Sequence, residues 1–289
     1  MRLITRGQTI EWPRRPLIMG IVNLSVDSFS GDGLADVDSA VEKARGFIAD
    51  GADVIDIGAE SARTNRGPIS EAEEAALLRQ FIERWPSLAS SGDPANPPLL
   101  SINTWRPAVA RAALRCGGHI LNDIGALPTD ENARICAETG AALLIMHSVG
   151  EPKVAHTHVG YDDVMRRIEL FFSEKMALAE KAGVSRDAII LDPGIDFAKQ
   201  RADNLRIYRE LDRLGQFERP ILLPVSRKTV IGDVLGISDP AARDAGTVAC
   251  IVHGMLHGAA IFRVHNVRAA AQAVRIISAV ETNAPRSLL

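Results

Sequence analysis

The chain has 289 residues, 46% hydrophobic and 24% charged, which suits one large globular domain, 1–289, with ample apolar material for a core. A formal net charge of −3 and a pI near 6.2 argue against a general nucleic-acid or membrane-surface binder, so any anion must be held by a local cluster of cations. The opening MRLITRGQTIEWPRR lacks the apolar segment of a signal peptide, no apolar run reaches membrane-spanning length, and Cys116, Cys136 and Cys250 form no C-x-x-C pair. A cytoplasmic protein is expected, with no membrane or nucleic-acid partner and with cysteines that pack as small hydrophobes.

In chain order the first apolar run is PLIMGIVN, followed by VDSAVEKARGFIADG, whose apolar residues recur three and four apart up to a helix stop at Gly51. Next come ADVIDIG and SEAEEAALLRQFIERW, where Ser70 and Glu73 have the spacing of a capping box. SSGDPANPPL reads as a surface loop. PLLSIN precedes RPAVARAALRCGG, GHILND precedes DENARICAETG, and AALLIMH precedes the long YDDVMRRIELFFSEKMALAEKAG. AIILDPG, PILLPVS, the helical DPAARDAGTVACIVHGMLHG and AIFRVH complete the series.

Eight short runs apolar on both faces, alternating with helical stretches, predict parallel strands covered on both sides. At this length the economical closure is a (β/α)8 TIM barrel. A doubly wound open sheet would normally carry G-x-G-x-x-G after its first strand, where GIVNLS stands instead.

Each strand ends on polar residues: Asn23; Asp56 to Glu60; Asn103; Asn122 and Asp123; His147; Asp192; Ser226 to Lys228; and Arg263 with His265. One such end is ordinary bonding to a loop, but eight converging on the mouth of a barrel make a ligand site. Asn103, Asn122 and Asp192 suit the edge of a planar, nitrogen-rich heterocycle, because a carboxylate accepts two parallel N–H bonds. SRK and RVH, on the last two strands, suit a phosphate. His253 and His257, one helical turn apart, lack a zincin glutamate and are expected to pack or lie on a helix surface. His156 and His158 fall in the loop after the fifth strand, where a lid is expected.

The ordered motifs GIVNLSVDSFS, GADVIDIGAESAR, LNDIGA, LIMH, LDPGIDFAK, SRKTVIG and FRVH resemble those of the dihydropteroate synthase family, from about Leu17 to Ile277. The resemblance implies condensation of 6-hydroxymethyl-7,8-dihydropterin diphosphate with 4-aminobenzoate, with Mg²⁺ present, in an enzyme that is commonly a homodimer. It implies a pterin pocket at Asn122, Asp192 and Lys228 with Met146 against the ring. The diphosphate would meet Asn23, Ser226, Arg263 and His265, with the metal near Asn23. The aminobenzoate would meet Arg63, Phe197 and Thr229. The C–O bond would break before the amine attacks, leaving a pterin cation.

Several positions depart from the family pattern. Ser25 and Val26 replace Thr-Pro, Ala62 and Thr64 replace Thr and Pro, Pro224 replaces Gly, and Asn266 replaces Asp. Asp196 stands where D-P-G-x-G-F has its second glycine, and Asn103 where V-D-T has a catalytic aspartate. The first-loop departure, MHSV and Asn266 are similar to sulfonamide-resistant forms of the enzyme. On this reading Asn103 contacts the pterin but stabilises its cation poorly. The alternatives are a methyltetrahydrofolate-dependent methyltransferase and a non-catalytic pterin-binding homologue.

Overall fold

The structure is a computed structural model that describes residues 1–24, 36–60, 69–150, 152–154 and 159–281. Two four-residue strands, β1 (Arg2–Thr5) and β2 (Gln8–Glu11), form an antiparallel hairpin. Eight parallel strands follow: β3 (Leu17–Asn23), β4 (Val54–Gly58), β5 (Leu99–Asn103), β6 (Ile120–Asp123), β7 (Ala142–Met146), β8 (Ile189–Asp192), β9 (Leu222–Leu223) and β10 (Ile261–Val264). Each lies within one of the eight predicted apolar runs. The order is β8-β7-β6-β5-β4-β3-β10-β9, and a parallel bridge from Leu191 to Ile221 brings the two ends together. The predicted (β/α)8 TIM barrel is therefore the fold.

The outer layer contains α1 (Val37–Ala49), α2 (Glu71–Ala89), α3 (Pro107–Cys116), α4 (Glu131–Thr139), α5 (Val164–Lys181), α6 (Arg201–Arg209), α7 (Thr229–Leu235), α8 (Asp244–Leu256) and α9 (Val267–Glu281). Residues that keep these helices amphipathic bury Leu78, Phe81, Phe172 and Val274 against strands that are themselves almost entirely buried. Ser70 caps α2 as its spacing implies, its hydroxyl accepting from Glu73 N at 3.2 Å. The helix continues past Trp85 through Pro86 to Ala89. β9 is short because Pro220 and Pro224 flank it and cannot donate to a ladder.

The hairpin is the element the eight-strand reading omits. It closes the N-terminal end of the barrel: Arg6 N donates to Gly140 O at 2.8 Å, Ala142 N donates to Thr5 Oγ1 at 3.3 Å, and the Thr5 hydroxyl donates to His119 O. Leu3, on β1, is fully buried. With this floor in place, the polar strand ends share the opposite, C-terminal mouth.

Candidate active site at the barrel mouth

Asp56, inside β4, organises one half of the mouth. Its Oδ1 accepts from the Ser101 hydroxyl at 2.6 Å, and Arg263 Nε donates to its Oδ2 at 2.7 Å. Asn122 Nδ2 lies 3.2 Å from both oxygens, and Asn103 Nδ2 lies 3.4 Å from Oδ2. The strand register makes this possible, since Asp56 pairs with Ser101 and Asn103 with Asn122. A buried carboxylate is tolerable only when its lone pairs are answered, and here four side chains answer them. Strand β5 ends on an amide because Asn103 is one of those donors. With both Nδ2 groups turned to Asp56, the Oδ1 acceptors of Asn103 and Asn122 face elsewhere. Asp56 stood among the polar strand-end residues in the sequence reading, without a particular partner; here it is the centre of this half of the site. The signal was an ionisable residue in the interior of the apolar run ADVIDIG.

The alternation of strand side chains separates residues that look equivalent in sequence. Asn122 reaches Asp56, whereas its neighbour Asp123 turns outward to Asn132 Nδ2 at 2.9 Å and Gly125 N at 2.8 Å. Burial raises the Asp123 carboxyl to about 6. It is a structural group outside the mouth.

Asp192 and Met146 sit side by side at the ends of β8 and β7, where they pair in register. Both are buried. Asp192 Oδ1 accepts from Gly194 N at 2.7 Å. Burial raises its carboxyl to about 6, opposed by that hydrogen bond and by the charges of Lys228, Lys199 and Arg263. Behind it Lys199 Nζ reaches His147 Nδ1 and Gly194 O at 2.9 Å, Phe197 O at 3.0 Å and His147 O at 3.3 Å. Burial lowers the Lys199 ammonium to about 7, and burial with the nearby Lys199 and Arg167 holds His147 neutral. His147, a strand-end residue in the sequence reading, thus serves the loop after β8.

The cationic half is smaller than SRK and RVH suggest. Arg227, at φ 56°, turns away to Asp244 on α8, with Nε–Oδ1 at 2.8 Å. Lys228 Nζ donates to Ile195 O at 2.8 Å and stands 5.1 Å from the Phe197 ring centroid. Ser226 Oγ lies 2.8 Å from His265 Nδ1 and accepts from His265 N at 3.1 Å, tying β10 to the turn after β9. The mouth therefore has Lys228, Arg263 and His265 as its basic side chains among the described residues singled out by those two motifs. Asn23 ends β3 opposite Gly58, half-buried.

Arg63, His156 and His158 lie outside the described residues, as do the departures at Ser25, Val26, Ala62 and Thr64. Glu60 accepts from Ile69 N at 2.8 Å and pairs with Lys153 and with Arg106, the latter at 3.6 Å. His253 on α8 stacks at 4.2 Å on His257, which caps the helix, and His253 Nε2 lies 2.7 Å from Tyr208 O, which is the packing role expected of them. Among the described residues no group of three or more His, Cys, Asp or Glu could hold a metal. A cation here would have to take most of its ligands from elsewhere, and Asn23 offers one amide oxygen. That donor set fits a hard ion that keeps waters and phosphate oxygens in its shell.

Residues 19–265 match the model of a family described as pterin binding enzyme. The chain belongs to that family. It is 34% identical over 287 residues to dihydropteroate synthase of Escherichia coli strain K12, covering 96% of each chain. A Yersinia pestis dihydropteroate synthase solved with a sulfonamide drug superposes with a TM-score of 0.88 at 36% identity, over 97% of this chain and 99% of that one. A Xanthomonas albilineans dihydropteroate synthase solved with 4-aminobenzoic acid gives 0.85 at 32% identity, over 98% and 99%. Within the family the chain's place is among the dihydropteroate synthases, transferases of folate synthesis.

Proposed function

We propose that the chain joins 6-hydroxymethyl-7,8-dihydropterin diphosphate to 4-aminobenzoate, forming dihydropteroate and releasing diphosphate. The observation that carries this is the division of one mouth into an amide and carboxylate half around Asp56 and Asp192 and a basic half at Lys228, Arg263 and His265. The pterin edge lies against Asn103, Asn122 and Asp192, with Met146 on its ring face. Asn23, Ser226, Arg263 and His265 receive the diphosphate. Phe197, Thr229 and Arg63 receive the aminobenzoate. Lys228 stands where the pterin and aminobenzoate sites meet.

The bond from the 6-methylene carbon to the diphosphate oxygen breaks first, and its electron pair leaves with diphosphate. The pterin cation left behind faces the carboxylates of Asp56 and Asp192. In a site of reduced dielectric such preset charge acts without reorganisation. The amine lone pair then forms the C–N bond and the nitrogen loses a proton. Asn23 would hold Mg²⁺ together with the diphosphate; the ion, when bound, supplies charge neutralisation for the leaving oxygens.

A homodimer is part of the proposal. Exposed Val234, Leu235, Leu256, Ile276 and Val280 on α7, α8 and α9 support an apolar contact between copies. Sedimentation at micromolar concentration tests it. A cytoplasmic location is proposed likewise; among the described residues no helix is long and apolar enough to cross a membrane. The test of the reaction is a coupled diphosphate-release assay with pterin diphosphate, with and without 4-aminobenzoate. Release that depends on the amine and matches dihydropteroate formed is expected. Pterin binding without release would leave the non-catalytic homologue.

A further inference from the structure

Asp196 is a mouth residue that the proposed reaction leaves unused. Its backbone φ is 67°, in the left-handed region that favours glycine, so the site retains a charged side chain against backbone preference. That side chain is fixed from three sides. Its Oδ2 accepts from Thr229 N, its Oδ1 lies 3.3 Å from Val230 N, and Asn204 Nδ2 donates to Oδ1 at 3.2 Å. Asp196 N in turn donates to Asn204 Oδ1 at 2.9 Å. Lys228, between Thr229 and the strand, sends its ammonium to Ile195 O and the face of Phe197, the residues on either side of Asp196. The loops after β8 and β9 are latched reciprocally, and the latch leaves one carboxylate between Phe197 and Thr229.

We infer that Asp196 is a specificity residue for the amine substrate: its carboxylate disfavours an arylamine whose ring end is anionic and leaves a neutral one unaffected. The inference rests on the placement of the amine at Phe197 and Thr229 proposed above. A ring packed on Phe197 with its polar end toward Thr229 brings any substituent charge close to Asp196. Hydrogen bonds to neutral carbonyls do not discharge Lys228 or Lys199, so both reduce the repulsion and hold the expected change to a modest one. Like charges several ångströms apart near a protein surface repel enough to change affinity by about three- to tenfold, and salt screens the effect.

The experiment compares 4-aminobenzoate with its uncharged counterpart, 4-aminobenzamide, in the whole protein. Asp196→Asn keeps an acceptor for Thr229 N and tolerates a left-handed φ while removing the charge. Its KM for 4-aminobenzoate should fall about three- to tenfold, more at low than at high salt, while the inhibition constant of 4-aminobenzamide and the KM for pterin diphosphate move less than about twofold. Asp196→Gly, which suits the backbone and discards the latch, should show the same preference for the anion. Unchanged KM values in both variants, or equal shifts for both amines, would overturn the inference. Phe197→Ala separates the two levels. If it leaves the 4-aminobenzoate KM unmoved, the amine has been placed wrongly and the inference falls with it; if it raises that KM while Asp196→Asn does nothing, the placement stands and the role of Asp196 alone is lost.

Discussion

The two halves of the mouth are built differently. Around Asp56 the functional groups sit on strands, and their mutual hydrogen bonds follow the register of β4, β5 and β6. Across the mouth, Lys228, Phe197 and Asp196 sit on loops held by carbonyl acceptors and by residues with positive φ. A strand-borne site is rigid before any ligand arrives, because each donor is spoken for. A loop-borne site can change partners. This suits a reaction in which the pterin must be held fixed while a diphosphate leaves and a second substrate enters.

Removing a basic group should have the largest effect on substrate affinity. Arg263→Ala deletes a charge-assisted contact to the diphosphate and also leaves the buried Asp56 carboxylate without its ion pair. Such a contact is worth about 1.5–3 kcal/mol, so pterin diphosphate affinity should fall roughly tenfold or more. The melting temperature should drop as well, by less than for a fully buried pair because Arg263 is partly exposed. Lys228→Ala should weaken affinity similarly with less loss of stability, since the hydrogen bond it donates to Ile195 O is to a neutral carbonyl. Calorimetry that finds both affinities unchanged would dissolve the contrast between the halves.

A pH effect should come next. Asp192 titrates at about 6 in the empty site, raised by burial. If the pterin N–H edge needs the carboxylate, the acid must lose its proton on binding below that value. Affinity should therefore be flat above pH 6 and weaken toward at most about tenfold per pH unit below it. Asp192→Asn should bind more weakly at pH 7 and lose this dependence. Parent affinity that is constant from pH 7 down to 5 would place the pterin on other strands.

The smallest effect expected is that of Asn103→Asp. From sequence alone this change should raise kcat by restoring a charge opposite the cation. With Asp56 Oδ2 only 3.4 Å from Asn103 Nδ2, the new carboxylate would instead face an existing one. Two carboxylates at that separation do not both ionise freely. Steady-state kinetics should show kcat within about threefold of the parent and a slightly lower melting temperature. A clear rise in kcat would mean that Asp56 does not supply the charge.

The fold was legible because a buried parallel strand has little choice but to be a short apolar run, and all eight runs became strands. The hairpin was not, because four-residue strands with mixed patterning carry little signal. α6 and α7 were equally inconspicuous, at nine and seven residues. In the site, the end of each apolar run marked where Asn122, Asp192, Lys228 and Arg263 lie. Which way a side chain turns was less visible. Arg227 looks like part of a cationic run, but its positive φ directs it to Asp244. Asp56 was visible among the polar residues at the end of its run, but its organising part was not, because the partners that meet it come from three other strands. Asp196 showed only as a mismatch to a glycine, with its partners more than thirty residues away at Thr229 and Val230.

The central claim is that Asp56 supplies negative charge to the pterin cation as well as holding the amides in place. Asp56→Asn keeps the shape and removes the charge. The decisive measurement is rapid-quench cleavage of saturating pterin diphosphate in the presence of 4-aminobenzoate, paired with calorimetric affinity for the same substrate. A charge about 4 Å away at an effective dielectric near 20 contributes about 4 kcal/mol before desolvation, and about 1.4 kcal/mol is tenfold in rate. Cleavage should slow by roughly thirtyfold or more while affinity changes less than about tenfold. Cleavage at the parental rate, with affinity intact, would contradict the claim.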